Sequence, residues 1–307
     1  MKLRVAIMCQ EEPAFMAPML RRVIEMRPDR VAALLLAGRR SAGEKRGDLS
    51  QLRRSLKIAW YIWEPLGLLQ SLAYQQRGKL LGPRDPRSME GLGRRLGIPV
   101  HHVSDANTPE FHDVLRSLDV DLVLNQSELL LKKEVLSIPR VGFINRHASL
   151  LPEFRGRLAS FWSHAAEEPR YGTTIHFVDE GIDTGRIILQ REFYDIPATL
   201  SYPRVLRQLM DRAPEMIWEA IDSLEREGFE PRENNPVDKA RRFPGLKSAR
   251  RYGATMARRR GPLHPGSLVY AVTKRLDREE IQTKKTKKTK KSPKKKTTSA
   301  PEPQAQG

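Results

Sequence analysis

Cysteine is nearly absent from this chain. The single residue of that type among 307, Cys9, lies in an apolar run without a partner, which excludes an intrachain disulfide and fits a reducing compartment. Long apolar runs are missing too. Val5 to Cys9 gives way at once to Gln10-Glu11-Glu12, too short for the apolar part of a secretion signal despite the basic start Met1-Lys2-Leu3-Arg4. Ile58 to Ala73, the most apolar later stretch, contains Glu64-Pro65 and falls short of a membrane span. These gaps lead to the expectation of a soluble, cytoplasmic chain with no transmembrane segment.

Paired metal-ligand spacing is also lacking. The seven histidines do not sit beside carboxylates or cysteines as zinc requires, and His101-His102 send their rings to opposite faces of a strand, so no metal site is expected. The turn after Cys9 has two glutamates where a phosphate-binding turn would present glycines and open amides, which argues against a dinucleotide site. Acidic residues become scarce toward the C-terminus. The last 24 residues hold nine lysines and one glutamate, eight of the eighteen net positive charges. Lys284 to Lys296 is a low-complexity run that cannot bury a core and is expected to be disordered. Its charge leaves docking to an anionic surface open, either nucleic acid or the periphery of a membrane, beside the plainer reading of a solvated tail.

What is present opens as strand, helix, strand. Val5 to Cys9 reads as a buried strand, Ala14 to Met26 as a helix with Pro13 in its first turn, and Val31 to Leu36 as a second strand. This order predicts an α/β fold with a mostly parallel, Rossmann-like sheet. Residues about 50–82 read as an amphipathic helical insertion, with Leu52, Leu56, Ala59, Trp60, Trp63 and Leu66 at roughly helical spacing. Strands are expected at Val100 to Val103, Asp121 to Asn125 and Phe143-Ile144, and a hairpin from Thr173 to Phe193. Tyr202 to Glu227 reads as one long helix bent near Pro214. The organisation expected is a catalytic domain at 1–230, a basic, weakly structured extension at 231–283 and the lysine tail at 284–307.

The chemistry gathers at Asn145 and His147. They end an apolar strand at i and i+2, so an extended chain projects both from one face at the edge of a parallel sheet where ligands bind. Asn-x-His alone is equally a satisfied polar pair capping a strand. Asp183, thirty-six residues past His147, stands between Gly181 and Gly185 and adds a carboxylate in a turn able to approach a ligand closely.

Three ordered blocks then resemble the folate-dependent formyltransferase family, which includes methionyl-tRNA and glycinamide ribonucleotide formyltransferases. They are Leu129-Leu130-Leu131-Lys132-Lys133-Glu134-Val135-Leu136, the stretch Gly142-Phe143-Ile144-Asn145-Arg146-His147 continuing through Leu150-Leu151-Pro152 to Arg155-Gly156, and Tyr171 through Asp179-Glu180-Gly181-Ile182-Asp183-Thr184-Gly185. The resemblance implies the family's fold, 10-formyltetrahydrofolate as formyl donor, an amine as acceptor, and catalysis by Asn145, His147 and Asp183. It further implies that Leu129, Leu130 and Leu131, with Gly181 and Ile182, line the folate pocket largely through backbone groups. Asn145 and a protonated or neutral His147 would offer donors to a carbonyl oxygen gaining charge, with Asp183 orienting His147 and helping to remove the amine proton. Arg155 is a candidate for an anionic group or equally a salt-bridged structural arginine, and His176 reads either as a supporting, structural residue or as a substrate contact.

The acceptor expected is an amino sugar, since Arg155-Gly156-Arg157-Leu158-Ala159-Ser160-Phe161-Trp162 is similar to the variant in amino-sugar formyltransferases. Initiator tRNA fits less well, because the region from Asp238 does not read as the β-barrel that tRNA enzymes carry there. Hydrolysis of the donor, with water replacing the amine, uses the same three residues. A non-catalytic module for nucleic acid or an anionic surface is the remaining alternative.

Overall fold

The computed structural model describes residues 2–12, 14–38, 56–63, 73, 76, 88–236, 238–268 and 270–275. Val5–Cys9 forms β1, with every residue buried, because this central strand is covered on both faces. After it come α1 (Met16–Met26), β2 (Val31–Ala37), α2 (Met89–Leu96), β3 (Val100–Val103), α3 (Pro109–Ser117) and β4 (Leu122–Gln126). Then α4 (Lys133–Leu136), β5 (Gly142–His147), α5 (Ala159–Ala165), β6 (Gly172–Phe177) and β7 (Ile187–Glu192) complete the sheet region. The helices α6 (Tyr202–Asp211), α7 (Ala213–Leu224) and α8 (Leu246–Arg260) close it.

The seven strands run in the order β3-β2-β1-β4-β5-β6-β7. Pairings from β3 through β5 are parallel, and β5–β6 and β6–β7 are antiparallel, so the mostly parallel α/β sheet and the expected hairpin are both present. The chain winds outward from β1 to β3, then crosses back to β4. That reversal opens a crevice beyond the C-terminal ends of β1 and β4, the usual ligand position in such sheets.

The turn between β1 and α1 explains the missing glycines. The Glu12 carboxylate accepts backbone N–H bonds from Ala14 at 2.8 Å, Phe15 at 2.9 Å and Met16 at 2.8 Å, and Glu11 accepts from Met89 at 2.9 Å at the start of α2. Free amides at a helix N-terminus attract an anion, and here the chain's own carboxylates supply it. On the other end of α1, the Trp218 indole donates to the Val23 carbonyl at 2.8 Å, and Arg27 lies 4.9 Å over the same ring while its fork binds Asp222 at 2.5 and 2.8 Å. Together these contacts tie α7 to α1 and cover one face of the sheet.

Three expectations need correction. The long helix is two, broken at Arg212 rather than bent at Pro214, because proline lacks an N–H and fits the first turn of a new helix. Residues 56–63 are helical, but Tyr61 and Ile62 are buried while Leu56 and Trp60 are exposed, so the buried face is rotated from the stripe read above. Trp63 bridges Phe15 and Tyr202 at ring separations of 5.7 and 5.5 Å, which fixes this helix on the domain. Apart from residues 73 and 76, the rest of the insertion lies outside the described residues. Within 231–283, expected to be weakly structured, residues 246–260 form α8, whose buried Ala249, Tyr252 and Met256 give it an apolar face among its arginines. The chain divides into two compact units between Thr255 and Met256, past the boundary near 230. Lys284 to Lys296 lies outside the described residues, and among these no helix is long and apolar enough to cross a membrane.

Replacing Glu12 with alanine should lower the unfolding free energy by about 1–2 kcal/mol through loss of its three amide bonds. Urea unfolding of Glu12→Ala beside wild type checks this, and an unchanged midpoint would mean that solvent serves the amides equally well.

Candidate active site

β4 and β5 end side by side, with Asn125 paired to Asn145. β5 then carries Asn145 and His147 on one face, and its antiparallel partner β6 places His176 directly across from Asn145. Cross-strand neighbours of this kind have Cβ atoms about 5 Å apart, so the two side chains must meet. Asn145 Nδ2 lies 3.2 Å from His176 Nε2.

Asp183 enters from the loop between β6 and β7. Its backbone is left-handed, with φ of +52°. The loop is held closely: a Cβ on Gly185 would lie 1.9 Å from the Phe177 carbonyl oxygen, so only glycine fits there. Asn234 donates to the carbonyls of Asp183 at 3.0 Å and Gly185 at 3.1 Å, and the Gly156 N–H donates to Asp183 Oδ2 at 2.7 Å. So fixed, Asp183 Oδ2 stands 3.6 Å from His147 Nδ1 and Oδ1 stands 3.7 Å from His176 Nε2.

Backbone carbonyls settle the proton positions on both rings. His147 Nε2 lies 2.6 Å from the Phe154 carbonyl and His176 Nδ1 lies 2.7 Å from the Phe177 carbonyl. A carbonyl only accepts, so each of those nitrogens donates its N–H. His147 therefore turns Nδ1 toward Asp183, and a neutral His147 has no proton left to offer the site. The donor role expected of either form belongs to the imidazolium alone. His176 is neutral down to low pH, its pKa held at about 4 by burial and by the charge on His147, against which Asp183 pulls upward.

One nitrogen or oxygen from each of His147, His176 and Asp183 lies within 4.8 Å of the others, so the fold gathers groups that sequence spacing keeps apart.

The other expected residues fall out differently. Arg155 gives Nη1 to the Ile182 carbonyl at 3.2 Å and Nη2 to the Asp238 carbonyl at 2.5 Å, which braces the Asp183 loop. Leu130 and Ile182 are exposed, whereas Leu131 is buried. The Asn107 amide spans the Leu130 carbonyl and the Lys132 N–H, each at 2.8 Å, which sets the shape of the loop after β4 and occupies one of its backbone acceptors. Leu129 packs, partly buried, against the core under that loop.

Two residues escaped the sequence reading. Gln126 gives Nε2 to Asn145 Oδ1 at 2.7 Å and receives Arg146 Nε on Oε1 at 3.1 Å. A polar pair closing the apolar run of β4 was the only local signal.

Residues 95–221 match the family model described as formyl transferase. The chain is 32% identical over 173 residues to the methionyl-tRNA formyltransferase of Clostridioides difficile (strain 630), covering 52% of this chain and 54% of that protein. It is 36% identical over 145 residues to the enzyme of the same name from Chromohalobacter salexigens, covering 47% of this chain and 44% of the other. The chain thus spans about half the length of the curated relatives it matches. Among solved structures, a glycinamide ribonucleotide transformylase from Symbiobacterium toebii aligns at a TM-score of 0.46 and 21% identity, over 76% of this chain and 95% of the other. A sugar N-formyltransferase from a Shewanella species aligns at 0.46 and 13%, over 83% and 87%.

The depressed pKa of His176 has a consequence for stability. The unfolded chain binds this proton near 6.5 and the folded chain near 4, so between those values the unfolded state holds more protons and stability falls as pH drops. Chemical unfolding from pH 7.5 to 4.5 should show that decline, and His176→Gln should flatten it. An equally steep profile in the variant would assign the decline to other groups.

Proposed function

We propose that the chain transfers a formyl group from 10-formyltetrahydrofolate to a primary amine, a reading supported by the match of residues 95–221 to the formyl transferase family model. The observation that carries the reading is the convergence of Asn145, His147 and Asp183 at the C-terminal end of β5. The donor supplies a formyl carbon open to attack by an amine.

The residues divide the work. Asn145 spends one Nδ2 proton on His176 and holds the other toward the site, where it can stabilise a carbonyl oxygen as charge develops. His147, when protonated at Nδ1, offers a second donor there, 3.6 Å from the Asp183 carboxylate. Asp183 is also the base in reach of an amine proton, directly or through water. Leu130 and Ile182, exposed on loops that follow β4 and β6, suit the flat apolar ring of a folate.

An amino sugar remains the acceptor we favour. Glu12 already fills the amides of the turn after β1, so an acceptor ending in a phosphate finds no anchor there. A second reading, an aminoacyl-tRNA acceptor, is favoured by the names of the curated relatives. Water as acceptor would make the chain a hydrolase with the same groups.

The test supplies 10-formyltetrahydrofolate with amino-sugar nucleotides, glycinamide ribonucleotide, charged initiator tRNA or no acceptor, and follows tetrahydrofolate, formate and formylated product. His147→Gln and Asp183→Asn should each lower kcat by at least 10²-fold, about 2.7 kcal/mol or more of barrier. Undiminished turnover in both would remove the site assignment, and formate released without any acceptor would favour the hydrolase.

A further inference from the structure

We propose that Gln126 is a positioning residue that decides which end of the Asn145 amide faces the site, and that Arg146 in turn orients Gln126. The inference deepens the formyl-transfer reading and rests on it for its catalytic consequence. The two ends of a carboxamide are alike in shape, so only their partners decide which is which.

Here the partners leave no freedom. The Arg146 guanidinium can only donate, so the Gln126 atom 3.1 Å from its Nε is Oε1. The opposite end of Gln126 lies 2.8 Å from the Asn125 carbonyl, which can only accept, so that end is Nε2. Nε2 then donates to Asn145 at 2.7 Å, which makes the receiving atom Oδ1 and turns Asn145 Nδ2 toward His176. From the far end the count agrees. His176 gives its Nδ1 proton to the Phe177 carbonyl, and Nε2 is left to accept from Asn145.

The cost of this arrangement falls on Arg146. It is buried, its Nη1 has no hydrogen-bond partner, and among the described residues no carboxylate pairs with it. Burial holds its pKa down to about 10. A buried cation facing a neutral amide is expensive where a glutamate would neutralise it. Gln126 offers what glutamate cannot: one end that accepts from Arg146 and one that donates to Asn145.

Gln126→Glu in the full chain keeps the size and reverses the logic. A carboxylate still accepts from Arg146 but also accepts at its other oxygen, so Asn145 must turn over and present Oδ1 to His176, and Nε2 then takes up a proton from solvent while Nδ1 keeps its own on the Phe177 carbonyl, which makes the ring an imidazolium. We expect kcat to fall about 10²-fold with KM for the folate within about twofold, and an unfolding midpoint no lower than wild type. In nitrogen-15 spectra of the histidine rings, assigned with His176→Gln, Nε2 of His176 should change from bare to protonated. A merely structural glutamine would instead lower the midpoint and leave that nitrogen bare.

A bare Nε2 in the Gln126→Glu protein, or a protonated one in wild type, overturns the proposal. If the nitrogen switches as expected but wild type transfers no formyl group, the orienting role stands and the formyl-transfer reading falls. Should the variant not fold, Gln126→Met, neutral and of equal length, removes the donor to Asn145 Oδ1 and should lower kcat while KM for the folate stays within about twofold, and an undiminished kcat there overturns the proposal as firmly.

Discussion

Two backbone carbonyls, those of Phe154 and Phe177, each take one ring proton from a histidine, and from that the layout of the site follows. Neither carbonyl can be titrated, so the anchoring is insensitive to pH. With one nitrogen of each ring committed, the other nitrogens face Asp183 and Asn145. The site is thus a set of lone pairs and donors whose senses are fixed by groups outside it. Preorganisation of this kind matters because dipoles already aimed at developing charge need not reorganise during reaction.

The sheet supplies the precision. Asn145 and His147 sit on a strand held between β4 and β6, so their spacing derives from strand pairing rather than from loop conformation. Asp183 alone arrives on a loop, and the structure compensates with an unusual density of backbone bonds around it: Arg155 on Ile182, Gly156 on the carboxylate, and Asn234 on two carbonyls. On the far side of the crevice the helix amides that would welcome a foreign anion are filled by Glu12. Negative charge is thereby built in at the turn after β1, while donors are concentrated at β5.

Much of this was legible in the sequence because it is local. The i, i+2 spacing of Asn145 and His147 gives a shared face on any strand, and the glycines around Asp183 mark a turn that comes close to its neighbours. The hairpin that brings His176 opposite Asn145 could be seen as two β-rich runs around a glycine turn, though not its register. Gln126 and Arg146 were invisible for a different reason: their meaning depends on two strands ending level with each other, which no spacing within either strand records. The two carbonyls that hold Arg155 were out of sight too, because they belong to residues 27 and 83 positions away. Along residues 56–63 the stripe through Trp60 did not mark the buried face, and burial went to Tyr61 and Ile62.

The segment after α7 repays a closer look. Arg232 exchanges two backbone bonds with Ile187, and Arg241 exchanges two more with the stretch from Arg155 to Arg157, so residues 232–236 and 238–241 lie like a belt across the loops that hold Asp183. The family match ends at residue 221, before any of this. A fragment trimmed to that signature would retain Asn145, His147 and Asp183 yet shed the buckle that keeps the third in register with the other two. The folded unit that holds these three together is accordingly longer than the matched part.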